Sequence, residues 1–103
     1  MKGNSDFDPK KVAECEIGWW KAHNEKDYNE VINQMAAEYM HLFGIRYKIA
    51  KKVVLFRIKA AKEHDLAEKD GITKQEADAH WKSARKFAEQ HFQMLKDAIN
   101  DLI

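Results

Sequence analysis

Hydrophobic residues recur along this chain at intervals of three and four residues, in four segments separated by short polar joints. This spacing puts them on one side of an α-helix, and the strict alternation typical of a half-buried β-strand does not occur. The segments run from about residue 9 to 26, 27 to 43, 45 to 69 and 73 to 102. The pattern therefore predicts four amphipathic helices.

Residues with helix-capping chemistry stand at the ends of these segments. Asp8 followed by Pro9 suits a helix start, because aspartate accepts from free backbone N–H groups and proline has none to leave unpaired. Thr73 and Glu76 have the spacing of a capping box. Gly44 and Gly71 follow the second and third segments, at positions where helices commonly end in the left-handed conformation.

Four amphipathic helices with short connections predict an all-α fold, an antiparallel four-helix bundle. The third and fourth segments are the longest, so the helix 3–helix 4 hairpin should overhang helices 1 and 2 by about 10–15 Å. We assign residues 8–103 to one helical-bundle domain and residues 1–7 to a flexible N-terminal lead. A chain of 103 residues leaves little room for a second domain.

Helix 3 has a wider apolar surface than a one-sided helix needs, covering an arc of about 220°. One flank contains Val53, and the other contains Val54 and Ile58. Either helix 3 is central in the bundle, or a partner or a second copy covers the second flank. On helix 4, the predicted core face consists of Ala77, Trp81, Ala84, Ala88, Phe92, Leu95, Ile99 and Leu102.

Charge is distributed unevenly along the predicted helix 3–helix 4 hairpin. Residues 44–62 contain seven basic residues and no acid, whereas residues 63–78 contain six acids and two lysines. At 100° per residue, five of the basic residues share one stripe. The predicted interaction surface combines this stripe with the doubled tryptophan and the second flank of helix 3: Lys48, Lys51, Lys52, Lys59, Lys62, Trp19, Trp20, Tyr47, Val54 and Ile58.

Several polar residues fall within the apolar arcs. Glu16 and His23 lie in the arc of helix 1, and Arg57 lies in that of helix 3. Because a buried charge is costly unless it is paired, we predict a buried Glu16–Arg57 ion pair with His23 beside it. His91, on the flank of the helix 4 core face, is predicted to be a core histidine with a hydrogen-bond partner.

The hairpin tip contains the most plausible metal ligands. Reversal of the chain near Gly71 should bring His64 and His80 to the same level, and Glu76 lies one helical turn before His80. Two imidazoles and a carboxylate suit zinc or another divalent metal. The alternative is a pair of histidines that simply hydrogen-bond to neighbouring carboxylates.

Composition excludes several classes of protein. The single Cys15 rules out an internal disulfide framework and favours the reducing cytoplasm. No apolar run approaches 18 residues, so no membrane span is expected. A net charge of +1 and a lysine stripe without interleaved aromatic residues do not favour nucleic-acid binding. No nucleophile motif, phosphate-binding loop or pair of catalytic acids is present, which argues against an enzyme.

The sequence therefore predicts a small, non-catalytic helical bundle that acts through protein–protein association, as a homo-oligomer or as an accessory subunit. The alternative is a metal- or cofactor-binding bundle that uses the histidines and carboxylate at the hairpin tip. A third hypothesis is a nucleic-acid-associated regulator that uses the lysine stripe.

Overall fold

The computed structural model describes residues 7–102, which form four α-helices: α1 Pro9–Asn24, α2 Tyr28–Phe43, α3 Tyr47–Ala67 and α4 Lys74–Asn100. No strand occurs in this range. The predicted all-α bundle is therefore confirmed. α3 and α4 contain 21 and 27 residues against 16 each in α1 and α2, so the long hairpin is the one predicted. Of the predicted N-terminal lead, all but Phe7 lies outside the described residues.

Three of the predicted helix ends have the expected capping contacts, whereas α3 ends at Ala67 with Glu68 as its cap, so Gly71 lies in the following loop rather than at the helix end. The Asp8 carboxylate accepts from the backbone N–H of Lys10 at 2.9 Å, with Pro9 at the first helical position. Thr73 and Glu76 form the reciprocal capping box of α4. Gly44 ends α2 with a φ of 70°, a left-handed conformation that a side chain disfavours. Local sequence therefore determines where these helices begin and end.

The extensive helix–helix contacts join consecutive helices, α1 with α2, α2 with α3, and α3 with α4. α3 is accordingly the central helix, and its Ala50, Val53 and Val54 are completely buried. The apolar arc of α3 is thus covered around Val53 and Val54 by the neighbouring helices α2 and α4, but not at Ala61, which is exposed. The buried core consists of Ala22, Val31, Met35, Ala36, Tyr39, Ile45, Ala50, Val53 and Val54.

The molecule is elongated, with extents of 47 × 31 × 19 Å and a radius of gyration of 15.3 Å. A compact domain of this length would have a radius of gyration of about 13 Å. The molecule is elongated because the two hairpins differ in length: α1 and α2 are too short to cover the full length of α3 and α4. Part of the long hairpin therefore lacks a neighbour.

The buried side of α4 differs from the predicted one. His91 is only 5% exposed, whereas Trp81 and Phe92 are 42% and 64% exposed. The predicted core face was wrong for these two aromatic residues, because the helix is rotated so that His91, rather than Phe92, faces α2 and α3. The other six residues of the predicted face are half-buried: Ala77, Ala84, Ala88, Leu95, Ile99 and Leu102.

Cys15 lies on the buried side of α1, and its thiol is free. Burial raises the pKa of this thiol, and the carboxylates of Glu38 and Glu14 raise it further. At neutral pH the thiolate is therefore scarce, which makes Cys15 an unreactive core residue rather than a nucleophile.

Candidate functional site

The predicted buried pair of Glu16 and Arg57, with His23 beside it, does not form. Glu16 and His23 are exposed on α1. Arg57 instead donates from Nη1 to the hydroxyl oxygen of Tyr39, at 2.9 Å. The physical reason is the order of the helices: α1 packs on α2, so α2 stands between α1 and the side of α3 that carries Arg57.

The predicted metal ligands are also not brought together. His64 pairs through Nε2 with Glu68 of its own helix at 2.9 Å, and its ring packs edge-to-face on Trp81. His80 Nδ1 contacts Glu63 of α3 at 2.5 Å. Glu76 is used in the α4 capping box. Within residues 7–102 no three His, Cys, Asp or Glu side chains are placed to hold a metal ion, so the predicted zinc or other divalent-metal site has no support from the structure.

The fold buries some residues of the predicted interaction surface and leaves others exposed. Val54 is completely buried, so it cannot belong to an exposed surface, and Ile58 packs partly buried against the core. Both are covered because α3 is central. Tyr47 is partly exposed and donates to Asn33 Oδ1 at 3.1 Å.

The two tryptophans of α1 differ in their environments. Their rings stack with centroids 4.9 Å apart and an interplanar angle of 17°. Trp19 is half-buried against the core, and its Nε1 donates to Glu38 Oε1 at 3.2 Å. Trp20 is 54% exposed on the outer side of the stack. Only Trp20 of this pair therefore remains free to contact a partner.

The lysine stripe lies in solvent, since Lys48, Lys51, Lys52, Lys59 and Lys62 are all exposed. The Lys59 ammonium also lies over the rings of Phe56 and Phe87, at 5.4 and 5.8 Å from their centroids. This cation–π contact holds Lys59 along the α3–α4 seam.

A partly buried hydrogen-bonded network joins α2, α3 and α4. The Tyr39 hydroxyl of α2 accepts from Arg57 of α3 and lies 2.9 Å from Nε2 of His91 on α4. Arginine has only donors, so the hydroxyl proton of Tyr39 is left to point at His91. A neutral His91 ring with a free lone pair at Nε2 can accept this proton. Burial lowers the pKa of His91, and the Arg57 charge lowers it further, in agreement with that state.

The network forms the floor of a cavity of about 460 Å³ between α2, α3 and α4, which we call the Arg57 cavity. Its walls are apolar apart from the network and one carboxylate. The lining residues are Glu38, Tyr39, Leu42, Phe43, Arg57, Ala60, Ala88, His91, Phe92 and Leu95. Burial raises the pKa of Glu38, with a smaller contribution from Glu16 in the same direction, while the Trp19 hydrogen bond and the Arg57 charge lower it.

Toward the hairpin tip the cavity continues into a shallow depression along the two long helices, the α3–α4 groove. Alanines form its floor, with Ala60 and Ala61 on α3 and Ala84 and Ala88 on α4. Trp81 lines it at the tip end, and Phe92 lines the Arg57 cavity at the other. The groove is thus an open apolar surface flanked by two large, exposed aromatic side chains.

The sequence contained part of the information for the Tyr39–Arg57–His91 network and for the α3–α4 groove. Arg57 and His91 both interrupt apolar faces, which indicated buried polar contacts, but the pattern does not reveal that Tyr39 of a third helix joins them. The four alanines were recognisable as small residues at helical spacing. That they lie uncovered depends on where the α1–α2 hairpin ends in three dimensions.

Comparisons with protein-family models, with curated proteins and with solved structures gave no significant match. No helix within residues 7–102 combines the length and the apolar character that crossing a bilayer requires. The features that bear on function are therefore the α3–α4 groove, the Arg57 cavity and the surface charge.

Proposed function

We propose that this protein is a non-catalytic helical bundle that acts by self-association, with the α3–α4 groove as the surface between two copies. The observation that carries the proposal is the pair of exposed aromatic side chains, Trp81 and Phe92, beside an alanine floor. Large exposed apolar side chains grouped around a concave surface are typical of protein–protein contacts.

The spacing of the two aromatic residues suits a helix of a second copy. They are 11 residues apart, which is three helical turns, so they lie on nearly the same side of α4 and about 16 Å apart along it. The alanines between them let another helix approach closely, because they have no bulky side chain. A two-fold axis between Ala84 and Ala88 would make the contact self-complementary, with Trp81 of each copy near Phe92 of the other.

Surface charge supports an antiparallel arrangement of the two copies. The tip of the long hairpin contains six acids in residues 63–78, while residues 44–62 of α3 contain seven bases. An antiparallel pair places the acidic tip of one copy beside the basic stretch of the other, whereas a parallel pair would place like charges together. Complementary charge of this kind fixes orientation and speeds association. In this arrangement the lysine stripe lies at the rim of the interface.

A concentration series in the analytical ultracentrifuge tests the proposal. We expect a reversible dimer that weakens as salt is added, because salt screens exposed charges. Phe92→Glu should raise the dimer dissociation constant at least tenfold. Ile17→Glu is the matched control, because Ile17 is 66% exposed on α1, away from the groove, and should leave the constant unchanged.

A strictly monomeric protein at millimolar concentration would refute self-association. A benzophenone amino acid at position 84, photoactivated in cells, separates the remaining possibilities. A cross-linked product of twice the 12.1 kDa chain mass supports the proposal. A product of another mass, together with a monomeric pure protein, would instead indicate an accessory subunit of a different complex.

A further inference from the structure

The Arg57 cavity contains one cationic and one anionic side chain that are not paired with each other. We infer that it binds a small zwitterion with an apolar group, of the chemical class of an α-amino acid with a hydrophobic side chain. This inference rests on Arg57 and Glu38, which the proposed self-association does not use, although the cavity and the proposed dimer surface share Ala60, Ala88 and Phe92.

Each charged group is held in place by a neighbour that leaves most of its hydrogen-bonding capacity unused. Arg57 uses Nη1 to bind Tyr39, and the Tyr39 hydroxyl is itself fixed by His91. Glu38 accepts at Oε1 from Trp19. The ion pairs found in residues 7–102 all join a histidine to a carboxylate, so neither Arg57 nor Glu38 takes part in one.

This arrangement matches the three parts of such a ligand. The planar guanidinium of Arg57 suits a carboxylate, which it can bind through two parallel N–H groups. The Glu38 carboxylate suits an ammonium group. The apolar walls, which include Leu42, Phe92 and Leu95, suit a hydrophobic side chain, and a volume of about 460 Å³ lies within the usual range for small-molecule sites.

Opposite charges in the cavity also exclude simpler ligands. A plain carboxylate would gain the Arg57 contact but would meet the like charge of Glu38. A plain amine would have the reverse difficulty. Only a ligand with both charges satisfies both side chains, so the site discriminates against molecules that have one of them.

Titration calorimetry with three probes that share a phenyl group tests the inference. The probes are L-phenylalanine, 3-phenylpropionate, which lacks the ammonium group, and 2-phenylethylamine, which lacks the carboxylate. We expect saturable binding of L-phenylalanine with a dissociation constant in the millimolar range or below. Each single-charge analogue should bind at least about tenfold more weakly, because a hydrogen bond to a charged group is lost.

Variants assign each charge to its residue. Arg57→Gln should weaken L-phenylalanine and 3-phenylpropionate at least tenfold and leave 2-phenylethylamine unchanged or tighter. Glu38→Gln should weaken L-phenylalanine and 2-phenylethylamine but not 3-phenylpropionate. Arg46→Gln and Glu14→Gln are matched controls, because both residues are exposed and neither lines the cavity.

The inference is overturned if L-phenylalanine produces no saturable signal at 20 mM, or if it binds no more tightly than its two analogues. It is also overturned if Arg57→Gln behaves like Arg46→Gln. Because Arg57→Gln also removes the Tyr39 contact, its fold is checked by circular dichroism. Arg57→Lys, which keeps the charge without the planar group, is the second variant and should give an intermediate loss of affinity.

Discussion

Replacing Tyr39 with phenylalanine removes one hydroxyl group from the centre of the molecule and keeps the aromatic ring. The ring is 5% exposed and packs edge-to-face on Phe43 and His91, and phenylalanine preserves these contacts. The hydroxyl, however, hydrogen-bonds to both Arg57 and His91 and so joins them. The substitution therefore tests the network alone.

The magnitude follows from the different exposure of the two partners. His91 is 5% exposed, so its ring nitrogen loses its partner without water to replace it, which costs about 1–3 kcal/mol. Arg57 is exposed and regains hydrogen bonds from water, so its loss is below about 1 kcal/mol. We expect the free energy of unfolding to fall by about 2 kcal/mol. For a domain of this size the melting temperature should fall by about 10 °C.

Tyr47→Phe is the matched control, because the Tyr47 hydroxyl donates to Asn33 on the surface. Loss of that exposed hydrogen bond should change the free energy of unfolding by less than about 0.5 kcal/mol. Urea denaturation followed by circular dichroism, at one protein concentration, measures both variants. If the free energies of unfolding of Tyr39→Phe and Tyr47→Phe agree within about 0.5 kcal/mol, the Tyr39 hydroxyl network does not stabilise the fold, contrary to the prediction.

Three other substitutions test separate features of the fold. His91→Gln keeps an acceptor for Tyr39 but cannot titrate. The wild type should lose stability relative to this variant as pH falls below about 6.5, since the lowered pKa of His91 means that the unfolded chain binds the proton more readily. If the difference in urea midpoint between wild type and variant is the same at pH 7.5 and pH 5, this prediction is contradicted. Gly18→Ala should raise stability by about 0.5 kcal/mol in thermal melts, because alanine favours helix and the three atoms nearest to the new Cβ all belong to the flexible side chain of Gln34, the closest at 2.9 Å. Gly44→Ala should lower stability by about 1 kcal/mol in the same melts, because its φ is 70°; an unchanged midpoint would argue against strain at this helix end.

Helix ends and helix order differ in how far sequence can predict them. The contacts of Asp8, Thr73 and Glu76 involve residues two or three positions apart, so their spacing is visible in the sequence. The rotation of α4 is not a local property. Phe92 is apolar and His91 is polar, and hydropathy therefore favours burying Phe92. The opposite occurs because the Tyr39 hydroxyl gives His91 a partner in the core, so burying its ring nitrogen is no longer costly.

The candidate site was predictable only in part, for a related reason. Periodicity correctly identified Arg57 as a cation on an apolar face that needed a partner. It could not identify that partner, because Glu16 and Tyr39 lie on different helices and only one of these helices packs on α3. At the hairpin tip, chain reversal brings His80 of α4 to α3, but the residue it meets there is Glu63 rather than His64.

The buried thiol of Cys15 provides a kinetic measurement that needs no engineered label. It is the single cysteine of the chain, and it lies on the side of α1 that faces the interior. Because only 9% of Cys15 is exposed and α1 packs on α2, a disulfide reagent reaches the thiol mainly when the two helices separate, so the rate of modification in native buffer reports how often that occurs. Each increase of about 1.4 kcal/mol in the opening free energy slows the reaction tenfold. If this rate equals the rate expected from unfolding of the whole chain, the thiol is reached only by global unfolding; if it is much faster, the short hairpin opens by itself while α3 and α4 remain folded.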